Sequence, residues 1–185
     1  DSEDLFYDVF DPSFISGLEK AMKKEMNYSA GDSYCIGYFV DNELKWGDEE
    51  FLARASFASS KDQSAKREFV KDLTTKYQTI QELNASWGTH YDSWQALLND
   101  RTVPNDTPGL NRDFREFNDK FIRKYFETCR AVIKQYAPDH LYLGCCFKST
   151  NSELPPVLAA RAQEYCDVIS IHCYGFKPPA SAWLN

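Results

Sequence analysis

Three short apolar runs in this 185-residue chain each end in side chains that can move protons or hold polar ligands. Tyr34-Cys-Ile-Gly-Tyr-Phe-Val40 stops abruptly at Asp41-Asn42-Glu43. Leu141-Tyr-Leu-Gly-Cys-Cys-Phe147 delivers Cys146, Phe147, Lys148 and Ser149 at its end. Asp167-Val-Ile-Ser-Ile-His-Cys-Tyr174 delivers His172 and Tyr174. The carboxyl group of a glutamate so placed can give up a proton in one step and take one back in another.

The runs are nearly continuous rather than alternating, which predicts short strands covered on both faces. In α/β proteins chemistry collects at the C-terminal ends of the strands. Parallel neighbours would therefore bring the three polar groups to one rim. Each residue also has a plainer reading. A strand-end glutamate is often a surface residue or a helix cap. Asp41 could simply hold the loop in shape, and His172 could be a hydrogen-bonded core histidine.

Helices must join these strands. Asp11-Pro12 has a capping acceptor followed by proline at the first helical position, and Phe14, Leu18 and Met22 then recur at helical spacing to about Met26. A long polar and helical region follows the first run. Residues 62–77 read as a helix through Ala65, Phe69, Val70 and Leu73, and 79–87 and 94–98 as short helices. Residues 101–109 are rich in turn formers. From about Asn111 to Tyr136, Phe114, Phe117, Phe121, Tyr125, Cys129, Val132 and Ile133 recur every three or four residues, the mark of a core-facing stripe. Pro155 to Tyr165 reads as a last short helix. Strands alternating with helices imply parallel strands joined by right-handed crossovers, and no repeat or interdomain linker interrupts the order.

Composition narrows the partners. Apolar residues make up 43% and charged residues 26%, which suits a packed domain and argues against disorder. The net charge of −7, with no basic stripe, argues against nucleic acid and is easier to reconcile with a neutral ligand. No stretch approaches the ~18 apolar residues that span a bilayer. The chain starts at Asp1 with no basic-then-apolar leader, as a mature or trimmed chain would. The six cysteines form no C-x-x-C pair and histidines number only three, so no metal site is expected and the thiols read as free and buried. Aromatic content is 15%, and sugars stack their C–H faces on aromatic rings, although many rings simply fill cores.

Gly37-Tyr-Phe-Val-Asp-Asn-Glu-Leu-Lys-Trp-Gly47 resembles the strand-four motif of the clan-A retaining glycoside hydrolases, nearest to their β-galactosidase and β-agarase branches. Leu83-Asn-Ala-Ser-Trp-Gly-Thr89 is similar to the segment after that motif in β-galactosidases, and His172-Cys-Tyr174 to a strand-six His-x-Tyr of the clan. The likeness runs from about Asp8 to Phe176. It implies a partial (β/α)8 TIM barrel, about half of one, with residues 1–185 forming a single domain that holds strands four to six and their helices. It implies a carbohydrate substrate, β-galactosides or a galactose-containing polysaccharide such as agarose, no cofactor, and a secreted or periplasmic setting.

The resemblance also assigns roles. Glu43 matches the acid/base, and partial burial should raise its pKa. Asn42 matches the residue that bonds the sugar 2-hydroxyl. His172 and Tyr174 match positions near the nucleophile or the bound sugar. Trp46, close after the motif, is a candidate sugar platform, whereas Trp87 and Trp94 read as packing. Cys145-Cys146 departs from the larger polar residue expected there.

Retaining hydrolysis needs two carboxyl groups about 5–5.5 Å apart. In the clan the second follows strand seven, for which residues 1–185 have no room. Glu153 falls in a loop and Glu164 on the following helix, so neither substitutes. The remaining barrel would come from a longer chain or a second chain. The alternative is a non-catalytic carbohydrate-binding or scaffold half-barrel that lacks the nucleophile.

Overall fold

Asp11 accepts the backbone N–H of Ser13 at 2.8 Å and so caps the first helix, α1 (Pro12–Ser29), in the computed structural model, which describes residues 6–148 and 154–172. Then come strand β1 (Gly37–Tyr38) and helices α2 (Phe51–Ala58), α3 (Ser64–Tyr77), α4 (Ile80–Trp87), α5 (Trp94–Asn99) and α6 (Pro108–Tyr136). Strands β2 (Leu141–Tyr142) and β3 (Phe147–Lys148), helix α7 (Pro156–Tyr165) and strand β4 (Ile171–His172) complete the order. The protein is thus mainly helical, with small parallel sheets. No described helix is long and apolar enough to cross a membrane.

The chain divides into two compact units. One holds, of its described residues, 6, 15–45, 125–148 and 154–172; the other holds 7–14 and 46–124. Helix α6 supplies its first half to the second and its last three turns to the first.

The first unit carries the strands. β1 pairs in parallel with β2, Gly37 opposite Leu141 and Tyr38 opposite Tyr142. β3 pairs in parallel with β4, Phe147 opposite Ile171 and Lys148 opposite His172. The middle run is therefore two strands rather than the one expected over 141–147. Gly144 (φ 78°) and Cys146 (φ 47°) lie in the left-handed region, which breaks the extended backbone between them. The first half of the run serves β1 and the second half serves β4. Glycine is required at position 37, where a Cβ would collide with the Leu141 carbonyl oxygen.

The first run was expected to be covered on both faces. Instead Tyr34 is 90% exposed, Ile36 69% and Phe39 48%. Among the described residues β1 pairs with β2 and with no other strand. The second half of α6 is buried along the stripe its spacing predicted, at Tyr125, Cys129, Val132 and Ile133, and its Phe126 ring lies 6.5 Å from that of Tyr142 in β2. Of the five cysteines described, all free, Cys129, Cys145 and Cys146 are buried, but Cys35 and Cys166 are only half-buried.

The second unit is a helical cluster around aromatic rings. Phe69 stacks on Phe117 with centroids 4.4 Å apart, and Phe57, Trp87 and Phe114 complete the set. Helix α4 begins with a Thr79–Glu82 capping box and ends at left-handed Gly88. Asp113 sits inside this unit, 1% exposed, and accepts from Trp87 Nε1 at 2.7 Å, Tyr77 OH at 2.6 Å and Lys76 Nζ at 2.8 Å.

Lys66 is fully buried beside them, donating to the carbonyls of Phe57 and Asp100. Burial pushes its ammonium down from the ordinary 10.5 to about 8. Between those values the unfolded chain holds the proton and the folded chain releases it, so stability from this group rises with pH from about 8 to 10.5. Lys66→Met removes that dependence. Urea titrations at pH 7.5 and pH 10.5 should show the native protein gaining on the variant by up to about 3 kcal/mol, the equivalent of the shift from 10.5 to about 8. An unchanged difference would mean that Lys66 titrates as it does in water.

Candidate active site

The turn after β1 is built against its stereochemical preference. Asp41 (φ 60°) and Glu43 (φ 52°) are both left-handed and neither is glycine. Such residues each cost on the order of 1–3 kcal/mol and persist only where surrounding contacts enforce them. Here the contacts come from the neighbouring segment. Val40 N–H donates to the Gly144 carbonyl at 3.0 Å, and Glu43 N–H to the Cys146 carbonyl at 3.0 Å and the Cys145 carbonyl at 3.2 Å. Cys146 offers its carbonyl by adopting a left-handed conformation itself. The two adjacent strand ends thus lock each other.

The lock aims Glu43 at β4. Glu43 Oε1 lies 2.7 Å from Nδ1 of His172, a hydrogen bond with the proton on either partner. The Glu43 side chain is 18% exposed and that of His172 36%, so the pair is partly open to water. Asn42, between the two left-handed residues, is exposed. Burial and the Glu43 charge together raise the thiol of Cys146 above the usual range.

Three of the expected rim residues are thus located: Glu43 and His172 touch, and Asn42 is their open neighbour. Trp46 belongs to the other unit and is 6% exposed, which leaves little ring surface for stacking. Phe147, expected at the rim, is buried in β3 at 1%. Tyr174 and Ser149 lie outside the described residues.

The sequence reading missed Tyr125. Its ring sits in the apolar stripe of α6 at 0% exposed, which is why it reads as core. Its hydroxyl, however, donates to Asp41 Oδ2 at 2.8 Å and also reaches the Val40 carbonyl at 3.2 Å. The one hint was a phenol tip in an otherwise apolar stripe, since a buried tyrosine hydroxyl normally needs a partner. Asp41 therefore does hold the loop in shape. Burial raises its carboxyl above the ordinary range, and the Tyr125 bond partly offsets this.

A polar, half-exposed carboxyl group at the end of a parallel strand, bonded to a histidine on another, is the kind of site that α/β hydrolytic enzymes use for proton transfer. The family is specific. The chain belongs to the glycoside hydrolase 42 beta-galactosidase family, whose model matches residues 12–180. Beta-agarase B of Vibrio sp. (strain JT0107) is 32% identical over 179 residues, which are 91% of this chain and 18% of that protein. A beta-galactosidase of Arthrobacter sp. is 33% identical over 107 residues, 55% of this chain and 14% of that protein. Among solved structures, an agarase superposes with a TM-score of 0.84 at 29% identity, covering 98% of this chain and 27% of that one. An exo-beta-agarase also gives 0.84, at 26% identity, covering 96% and 25%. The chain spans about a fifth of the length of the curated agarases it matches.

Proposed function

We propose that this chain is one portion of the catalytic (β/α)8 barrel of a retaining glycoside hydrolase acting on β-linked galactosides or a galactose-containing polysaccharide such as agarose. The observation that carries the reading is the Glu43–His172 pair at 2.7 Å, formed between the turn that follows β1 and the last residue of β4. The family membership and the agarase likeness support the substrate class.

In this reading Glu43 protonates the leaving oxygen as the glycosidic bond breaks. Its carboxylate later takes a proton from the water that releases the sugar. His172 orients the carboxyl group through the shared hydrogen bond. Asn42, exposed beside it, is available to bond a sugar hydroxyl, and Tyr174 is the further proposed contact; the buried ring of Trp46 takes no part. The attacking carboxylate, about 5–5.5 Å from the acid, is assigned to the part of the barrel beyond residues 1–185.

The test uses protein expressed from the complete reading frame, with nitrophenyl β-galactoside and agarose as substrates. Proton NMR of the first product should show the β-anomer, which then mutarotates. An α-anomer would exclude double displacement. Binding without turnover would favour the non-catalytic carbohydrate-binding module instead.

A further inference from the structure

The turn that carries Glu43 is held from both sides, and the two holds differ in kind. On the strand side they are backbone bonds that any sequence could make: Val40 N–H to Gly144 and Glu43 N–H to Cys145 and Cys146. On the helix side the hold is a side-chain bridge. Tyr125 of α6 spans from Asp41 Oδ2 (2.8 Å) to the Val40 carbonyl (3.2 Å), tying the last residue of the apolar run to the first residue of the turn. Asp41 is one of the two left-handed residues that set the direction of Glu43. Without the bridge it is free to return to the extended region that a non-glycine residue prefers, and the turn loses one of its constraints.

We infer that Tyr125 and Asp41 form a positioning pair that fixes the Asp41-Asn42-Glu43 turn and with it the direction of the Glu43 proton. The inference rests on the proposed acid/base role of Glu43. Neither Tyr125 nor Asp41 need touch substrate. Tyr125 is fully buried, and its hydroxyl is spent on Asp41 and Val40. Their effect passes through backbone geometry, where an error of about 1 Å can lower a rate on the order of 100-fold.

The test compares two substrates of the complete protein, a nitrophenyl galactoside that departs without protonation and an alkyl galactoside that requires it. Tyr125→Phe and Asp41→Ala should each lower kcat/KM on the alkyl substrate by about 10–100-fold. Bond cleavage in the nitrophenyl substrate should change less than about threefold, because its leaving group does not wait for the proton. The double variant should be no worse than either single one, since each already breaks the same bridge. Equal losses on both substrates would mean general damage to the fold, and additive losses would mean two independent roles; either overturns the pair. If Tyr125→Phe lacks native circular dichroism, the half-exposed Asp41→Ala variant alone decides by the same substrate ratio. Glu43→Gln serves as the reference. If it shows no difference between the substrates, the acid/base reading itself fails; if it shows one and the pair variants do not, only the positioning inference fails.

Discussion

Glu43→Gln should lower kcat/KM on alkyl galactosides or agarose by about 10²–10⁴-fold, the usual contribution of a positioned general acid. The substitution keeps the shape of the side chain and leaves an amide able to bond His172 across the present 2.7 Å contact, so the turn should stay in place. Only the transferable proton is lost. Substrates whose leaving groups depart as stable anions should still react in the first step, because they need no acid. The second step should then stall, since water attacking the sugar also relies on Glu43 as base. A burst of nitrophenol followed by slow turnover is the expected trace, read by stopped-flow absorbance. Loss of activity in proportion on every substrate, without a burst, would point to a structural role for Glu43.

The second large effect concerns stability. Asp113→Ala should destabilise the protein by about 3–5 kcal/mol, the range for removing one partner of a buried charged network. Asp113 is 1% exposed, and its Oδ2 alone accepts both the Trp87 N–H and the Tyr77 hydroxyl. Alanine leaves both donors buried beside a void, and Lys76 loses the anion that it touches at 2.8 Å. Asp113→Asn should cost less. Its oxygen can still accept from Trp87 and Tyr77, while its amide faces Lys76 and Arg112, which are both partly exposed. Urea unfolding followed by tryptophan fluorescence separates the two variants. A change below about 1 kcal/mol for the alanine variant would show that water replaces the carboxylate, which the burial of Asp113 argues against.

The helices were the most legible part of the sequence. The stripe from Phe114 to Ile133 recurs over enough turns for its period to fix both the element and its buried face. Helix α2 escaped because it is short and has no side-chain cap, whereas the equally short α4 is announced by its Thr79–Glu82 capping box and α5 by Ser93. The strands were found but their extents were wrong. An apolar run looks the same whether extended throughout or broken by left-handed backbone, and nothing in Leu141-Tyr-Leu-Gly-Cys-Cys-Phe147 announces that Cys146 adopts φ 47°. The exposure of Tyr34 and Ile36 was equally hidden, because burial depends on neighbours that an apolar run does not name.

The candidate site divides along the same line. Glu43 and His172 were legible because strand ends concentrate chemistry and the residue types suit it. Asn42 was legible as a sugar contact only through the likeness of Asp41-Asn42-Glu43 to the family motif. Tyr125 was not legible, since its ring obeys the core pattern and only its hydroxyl does something else. Trp46 shows the reverse: the residue type suggests a sugar platform, yet the folded chain leaves it 6% exposed.

The most direct test of the central claim is the product that Glu43→Ala forms in the presence of azide. Removing the carboxyl group leaves the glycosyl-enzyme without a base to activate water. Azide needs no base. Its lone pair can form the new bond to the anomeric carbon as the enzyme's carboxylate departs, from the face that the leaving group vacated. With a nitrophenyl β-galactoside, the account predicts that azide restores turnover and that NMR identifies the product as the β-galactosyl azide. An α-azide, or turnover that azide leaves unchanged, would contradict the assignment of Glu43 as the acid/base of a retaining hydrolase.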